Sequence, residues 1–380
     1  MLIAHVSDLH LGRISPGDPQ GAQRLNSFRQ ALATLASAQP DVLVIAGDAF
    51  HDTNVDAAII EEAARSLATL RSPKGEAIPV VIIPGNHDPA DADRLWTAFE
   101  KALGSSSVHL ARTARLIALA DGKLLVEAYP CLTRFSGEPP WEQRVTPAAE
   151  PDAVRVVVAH GTLQGGPVPE GEADAYPFTE AELQSLGADY VALGHFHGIY
   201  PAWRDGDECA RSYCYCGTHE PDQFDGDAGY AILADVTARR RPQLRRVKVG
   251  RRRWRQLKLA GPADLAAVER LHEDVKADRD PSSYVIRLKV QTGAAWSVGD
   301  VERLDRLEAA LRAVGAQVER RGSIQALVDV QALDLQRLPS GAVKEALLSL
   351  QADLEASDPA SADREVLACA LQIGWEKLQI

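Results

Sequence analysis

Short apolar runs rich in Val and Ile recur along the first half of the chain, at Leu2 to Val6, Val42 to Ala46, Val80 to Ile83, Val154 to Ala159 and Tyr190 to Leu193. Runs of this length without polar alternation read as strands buried on both faces. The intervening segments have a different period: Ala22 to Ala38 sets Leu25, Phe28, Leu32 and Leu35 along one side of an amphipathic helix. Alternating strands and helices predict an α/β layer structure for this part. Gly229 to Val236 and Leu244 to Val249 read as further strands, while the Pro, Gly and Glu content of Tyr129 to Asp152 and Gly165 to Pro177 marks surface loops.

The Gly261-Pro262 pair marks a boundary. Beyond it come a helix (Ala263 to Asp278), a strand (Tyr284 to Val290), a helix (Val301 to Val314) and two strands (Gln317 to Arg320, Ala326 to Val330), which suit a small α+β domain. After Pro339 follow two amphipathic helical patterns, Ala342 to Ala356 and Ser361 to Leu378. A chain of 380 residues accommodates one large and one smaller domain.

Apolar residues at 46% and charged residues at 25% describe a folded globular protein. No stretch approaches the ~18 apolar residues needed to cross a bilayer, and the segment MLIAHVSDLHLG lacks the pattern of a signal peptide, so a cytoplasmic location is expected. Five cysteines without such a signal argue against a disulfide framework. The net charge of -12 disfavours general nucleic-acid binding by the surface as a whole. It conceals a segment of opposite sign, for Arg239 to Lys258 holds eleven Lys or Arg and no acidic residue.

Nearly every predicted strand ends in Asp, His, Asn and Gly: Asp8-Leu9-His10, Gly47-Asp48, Gly85-Asn86-His87-Asp88, His160-Gly161 and Gly194-His195-Phe196-His197. In layered α/β folds, ligands gather just beyond the carboxyl ends of strands. Asp8 and His10 lie two apart, as do His195 and His197, so each pair can present alternate side chains to one ion. Two carboxylates (Asp8, Asp48), one amide (Asn86) and four imidazoles (His10, His160, His195, His197), with no thiolate, suit Mn²⁺, Fe²⁺ or Zn²⁺ better than Mg²⁺ or Ca²⁺. Seven ligands exceed one closed site. Two ions about 3.5 to 4 Å apart use them naturally and can clamp both oxygens of a phosphoryl displacement.

In this order, the five motifs resemble those of calcineurin-like metallophosphoesterases, over about half the chain. Within that superfamily the sequence is similar to the SbcD-type DNA repair exonuclease branch. His51 follows Gly47-Asp48-Ala49-Phe50 where many phosphatases carry a second Asp, the first metal strand opens the chain, and a cap-like domain follows. The resemblance implies a four-layer sandwich of two mixed β-sheets flanked by helices (residues 1–258), a small α+β cap (259–338) and a C-terminal helical segment (339–380). It implies two divalent ions, Mn²⁺ foremost, with Asp8, His10 and His197 on one, Asn86, His160 and His195 on the other, and Asp48 bridging. It further implies His87 as general acid, His51 as its assistant or a contact to the scissile phosphate, Asp88 as an orienting group, and water in place of a protein nucleophile.

The expected activity is thus a Mn²⁺-dependent 3′ to 5′ DNA exonuclease, with endonuclease cutting as an option, serving repair and recombination. The chain has no Gly-x₄-Gly-Lys-Ser/Thr loop, so ATP coupling would come from an SbcC-like ABC-type coiled-coil ATPase docked by the C-terminal helices. A homodimer is a further expectation of the resemblance. The alternative substrate is a small phosphodiester, nucleotide or phosphoprotein, which the acidic surface favours. A scaffold without catalysis is the third reading, and the complete ligand set with His87 opposes it.

Several residues have blander readings. His5 suits core packing and His272 a helix surface, and His109 lacks acidic or glycine company. His219 lies in Gly217-Thr218-His219-Glu220-Pro221, which the resemblance places in a loop near substrate. The C-x₄-C-x-C spacing of Cys209, Cys214 and Cys216 matches no common zinc knuckle, so buried strand residues are the expectation. The basic run is either a charged edge strand that blocks aggregation or a track for DNA phosphates.

Overall fold

Strands β1 (Leu2–Val6) and β2 (Val42–Ala46) are apolar throughout because protein covers both of their faces. In β2, Leu43 and Ile45 enter one core while Val42, Val44 and Ala46 enter another. A period of two forces that division. The computed structural model describes residues 1–13, 22–145, 152–167, 175–202, 211–221, 224, 227–291, 296–322, 324, 326–327, 335, 338, 340–358, 366–368, 370–371 and 374. By contact it divides into two units, Met1–Arg252 and Arg253–Ile380.

In the first unit, helices α1 (Ala22–Ser37), α2 (Ala57–Ala68) and α3 (Asp93–Leu103) alternate with β1, β2 and β3 (Val80–Ile83). Then come β4 (Val108–Leu110), β5 (Arg115–Leu119), β6 (Leu124–Tyr129), β7 (Val154–His160), α4 (Glu180–Ser185), β8 (Tyr190–Gly194), β9 (Tyr213–Tyr215), β10 (Tyr230–Asp235) and β11 (Gln243–Lys248). Among the described residues one sheet runs β11-β10-β1-β2-β3-β4 and the other β5-β6-β7-β8-β9. Both are mixed, with β1 to β4 parallel, β10 antiparallel to β1, and β5 antiparallel to β6.

Ile3, Val44 and Ile83 of the first sheet meet Val126, Val158 and Ala192 of the second in a core between the sheets. Phe28, Leu32 and Ile60 of the helices pack on the outer face of the first sheet with Trp96 and Phe99, while Leu183 of α4, Trp141 and Phe178 cover the second. Helices, sheet, sheet and helix form the expected four-layer α/β sandwich.

The second unit opens with β12 (Arg253–Leu259), whose residues up to 258 the sequence reading placed in the first domain. That strand pairs in parallel with β13 (Tyr284–Val290) after the crossover helix α5 (Leu265–Ala277). The two-residue β14 (Trp296–Ser297), α6 (Val298–Ala313), β15 (Gln317–Arg321) and β16 (Ala326–Leu327) follow; β15 joins β13 in parallel and β16 pairs with β14. Leu288, Trp296, Leu304 and Leu311 fill its core. Helix α7 (Ala342–Ala356) packs Leu347 and Leu354 with Leu335 and Leu371. Most of the expected Ser361 to Leu378 helix, residues 328–330 of the expected last strand, Cys209 and Cys369 lie outside the described residues. Among the described residues, no helix is long and apolar enough to cross a membrane.

Trp96 ties the helical layer to the chemistry. Its fully buried ring meets Phe50 and Phe99 edge-on, and its Nε1–H donates to the carbonyls of Asp88 and Pro89 at 2.8 and 3.0 Å. Trp96→Ala should cost about 3 to 5 kcal/mol, read as a lowered denaturation midpoint at unchanged slope. A loss under about 1 kcal/mol would mean that the loop beyond β3 does not depend on this ring.

Candidate metal centre

The seven candidate ligands come together at the carboxyl ends of strands from both sheets. Asp8 and His10 follow β1, Asp48 follows β2, Asn86 follows β3, His160 closes β7, and His195 and His197 follow β8. All except the half-buried His197 are almost wholly inaccessible. Four of them adopt positive φ: Asp8 at 51°, His10 at 44°, Asp48 at 51° and His195 at 111°. Such a backbone costs of order 1 to 3 kcal/mol per residue and persists only where surroundings over-determine it. Here they do. Asp8 N–H donates to Gly47 O at 3.1 Å, His10 N–H to Asp48 O at 3.0 Å, and His195 N–H to the Asp8 carboxylate at 3.0 and 3.2 Å.

The donor atoms converge on a common space. His10 Nε2 and His197 Nε2 stand 3.0 Å apart, and Asp8 completes their cluster. Asn86 Oδ1 lies 2.9 Å from His160 Nε2 and 3.1 Å from His195 Nδ1. Asp48 Oδ2 sits between the groups, 3.7 Å from His10 Nε2 and 3.4 Å from His160 Nε2. Its other oxygen accepts the backbone N–H of His87 at 2.9 Å. Asp48 is thus within reach of both groups.

The donor chemistry fits divalent cations. His160 Nδ1–H donates to Ala46 O at 2.8 Å, which fixes the tautomer and turns Nε2 toward Asn86 Oδ1. Two lone pairs that face each other at such distances require a proton or a cation between them. Asp8, Asp48 and Asp88 are all buried, and buried carboxylates must be paired, protonated or bound to a metal.

The titration pattern carries the same message. Burial pushes the Asp8 carboxyl up, and burial together with the Asp48 charge pushes Asp88 far up. Burial would raise Asp48 too, but the imidazoles of His160, His10 and His87 outweigh it and hold that carboxyl well below the ordinary range. His160 moves the other way: burial lowers it, yet Asp48 and Asp8 raise it to about 9. Without a cation, Asp48 and His160 form a buried ion pair.

His51 and His87 border this space on its more open side. Their rings stack at 5.6 Å and 15°, and both meet the His10 ring edge-on at 5.3 and 4.8 Å. His87 Nδ1–H donates to His51 O at 3.1 Å, leaving Nε2 as the nitrogen that can take up or release a proton. Burial, then Arg13, lowers His51 to about 4. Asp88 accepts Phe50 N–H at 2.8 Å and Gly85 N–H at 2.7 Å, so it locks the loop beyond β3 onto the loop beyond β2.

Three supporting residues escaped the sequence reading. Ser7 donates its hydroxyl proton to Asp8 and lies 3.1 Å from the Cys216 thiol. Arg24, buried within α1, donates to Leu9 O at 2.9 Å and Thr218 Oγ1 at 2.6 Å, bracing the turn after β1. Glu220 accepts the backbone N–H groups of Arg251 and Arg252 at 3.0 and 2.6 Å and the Ser27 hydroxyl. Arg24 carried the only usable signal, an arginine one position before Leu25 on the apolar side of its helix. Hydroxyl and carboxylate positions in loops have no such periodicity.

His219, which the resemblance alone would place in a loop near substrate, has its side chain in the core. It is fully buried, with Nε2 3.2 Å from Arg24 O and its ring edge-on to Phe28. His5 is also core, 2.9 Å from the Tyr190 hydroxyl and lowered by burial to about 3. Cys214 and Cys216 are buried strand-side residues, as expected. The basic run occupies two edge strands, β11 and β12, with Arg246 paired to Asp227 and Arg253 to Asp278. That placement agrees with the charged-edge reading.

Gly47, at φ 86°, has no room for a side chain: a Cβ there would collide with the His160 ring. Gly47→Ala should therefore cut Mn²⁺ affinity by at least about 10 to 100-fold in calorimetric titration, and unchanged affinity would remove His160 from the site. At pH 7 the His160 proton must leave as a cation enters, so loading should release protons and tighten as pH rises toward 9. Identical binding enthalpies in buffers of different ionisation enthalpy would contradict the Asp48–His160 ion pair. The calcineurin-like phosphoesterase family model matches residues 1–198, the span that contains every one of these candidate ligands, and the chain belongs to that family of metal-dependent phosphoesterases.

Proposed function

We propose that this phosphoesterase is an SbcD-type DNA nuclease that hydrolyses phosphodiester bonds with two divalent ions, Mn²⁺ foremost, in the 3′ to 5′ direction. The observation that carries the reading is the stacked His51–His87 pair beside His10, on the more open side of the cleft. A diester leaving group departs as an alkoxide equivalent and needs a proton, which a half-buried imidazole near neutral pH can give. His87 acts as that acid in this reading. His51 keeps its ring parallel and, with a pKa lowered to about 4, is neutral and able to accept a hydrogen bond from the substrate side.

A pair of divalent ions held by Asp8, His10, Asp48, Asn86, His160, His195 and His197 would supply Lewis acidity and lower the pKa of water to about 7. The protein's part is orientation. Asp48 is held between two imidazoles, the Asp8 carboxylate is fixed by the His195 N–H, and Asp88 aligns the loop that carries Asn86 and His87. The position of His51 after Gly47-Asp48-Ala49-Phe50 and the second unit of alternating strands and helices support DNA as substrate. An SbcC-like ABC-type ATPase docked through the helices after residue 339, and a homodimer, complete the proposal. The net charge of -12 favours the alternative of a small phosphodiester, nucleotide or phosphoprotein.

Mn²⁺-loaded protein should degrade labelled oligodeoxynucleotides from the 3′ end. Cleavage of small phosphodiesters with every oligonucleotide left intact would decide for the alternative. His87→Gln should lower kcat by about 10² to 10⁴-fold with two ions still bound by elemental analysis, and wild-type turnover in that variant would strip His87 of its role.

A further inference from the structure

The loop that follows β6 leaves its sheet at the same edge as the loops bearing His160 and His195, because β6, β7 and β8 run parallel. Its root belongs to the cleft. Cys131 N–H donates to Pro84 O at 3.1 Å, and its thiol reaches His160 O at 3.5 Å. Its tip faces solvent: Leu132, Thr133, Arg134 and Phe135 are all exposed, Phe135 at 60%.

Single exposed apolar side chains are ordinary. This one differs in being held. The Tyr176 hydroxyl accepts Thr133 N–H at 2.9 Å and donates to Thr133 O at 2.8 Å, while Tyr176 N–H donates to Ser136 O at 3.0 Å, so Phe135 is clamped on both flanks. Tyr176 in turn lies against Gly161, where an added Cβ would strike the Tyr176 carbonyl, so the clamp rests beside His160. The Arg134 guanidinium stands over the Phe135 ring, 5.8 Å from its centroid. Among the described residues, Phe135 is the aromatic member of the large exposed apolar side chains.

We infer that Phe135, with Arg134, is a stacking platform for a nucleobase of the DNA strand whose phosphate enters the metal cleft. An aromatic face stacks on any base and a guanidinium beside it engages the backbone, the combination that binds single strands without reading sequence. Phe135 lies four positions along the chain from Cys131, a span of at most about 14 Å, which a few nucleotides cover. The inference rests on the nuclease reading and adds to it a substrate feature, an unpaired base at the rim. A ring kept in solvent beside the cleft has no packing role to lose, so its substitution reports on substrate alone.

The test compares Mn²⁺-loaded full-length protein acting on a single-stranded oligodeoxynucleotide and on the same strand made abasic near its 3′ end. In the wild type, KM for the abasic strand should exceed that for the base-bearing strand. Phe135→Ala should raise KM for the base-bearing strand by about 5 to 150-fold and bring the ratio of the two toward one, while Phe135→Trp restores it. Equal discrimination in wild type and Phe135→Ala overturns the platform and leaves the nuclease reading standing. If the wild type cuts neither strand, the nuclease reading falls and the platform with it.

Discussion

The structure depends on burying negative charge at one point. Asp8, Asp48 and Asp88 are nearly or wholly inaccessible, and no arrangement of apolar residues around them could be stable without compensation. Compensation comes in three forms. Asp88 is protonated or hydrogen-bonded to two backbone amides, Asp8 accepts the His195 amide and the Ser7 hydroxyl, and Asp48 draws a proton onto His160. The first involves no imidazole. The remaining two gather imidazoles around a common space, and a set of strained loops thereby presents the donor atoms that a divalent cation would need.

That demand explains the layers around it. Positive φ at Asp8, His10, Asp48 and His195 is tolerable because each loop is hydrogen-bonded to the next across the edge of the two sheets. Gly47 and Gly194 allow the sheets to approach until a backbone carbonyl, Ala46 O, can orient His160. Further out, Trp96 holds the loop beyond β3, Arg24 braces the turn after β1, and Glu220 gathers the chain at Arg251 and Arg252. The α/β core is rigid apolar packing that serves a polar, strained rim, the usual division between scaffold and site.

The sandwich was legible where a single periodicity decided it. Continuous apolar runs gave β1, β2 and β3 their correct bounds, and the seven ligands stood out because polar residues clustered at strand ends. Strand β6, buried throughout, cannot be told by period from a buried helix segment, and β5, with only Ile117 buried, offers too little apolar pattern to stand out. The division by contact falls at Arg253, earlier than the Gly261-Pro262 pair, because charge, a surface property, is silent about which sheet an edge strand joins. The sequence around His219 did not settle its role, and it is the packing of α1 onto its loop that makes it core. Phe135 was invisible for the opposite reason: nothing local distinguishes an aromatic that stays in solvent from one that is buried.

The central claim is that Asp48 is shared between two cations. Anomalous diffraction from crystals soaked in Mn²⁺ tests it most directly. Two peaks about 3.5 to 4 Å apart, flanking the Asp48 carboxylate with Asp8, His10 and His197 on one side and Asn86, His160 and His195 on the other, are the result this account requires. No peak, or a single one that leaves either group of imidazoles without a metal, would contradict it.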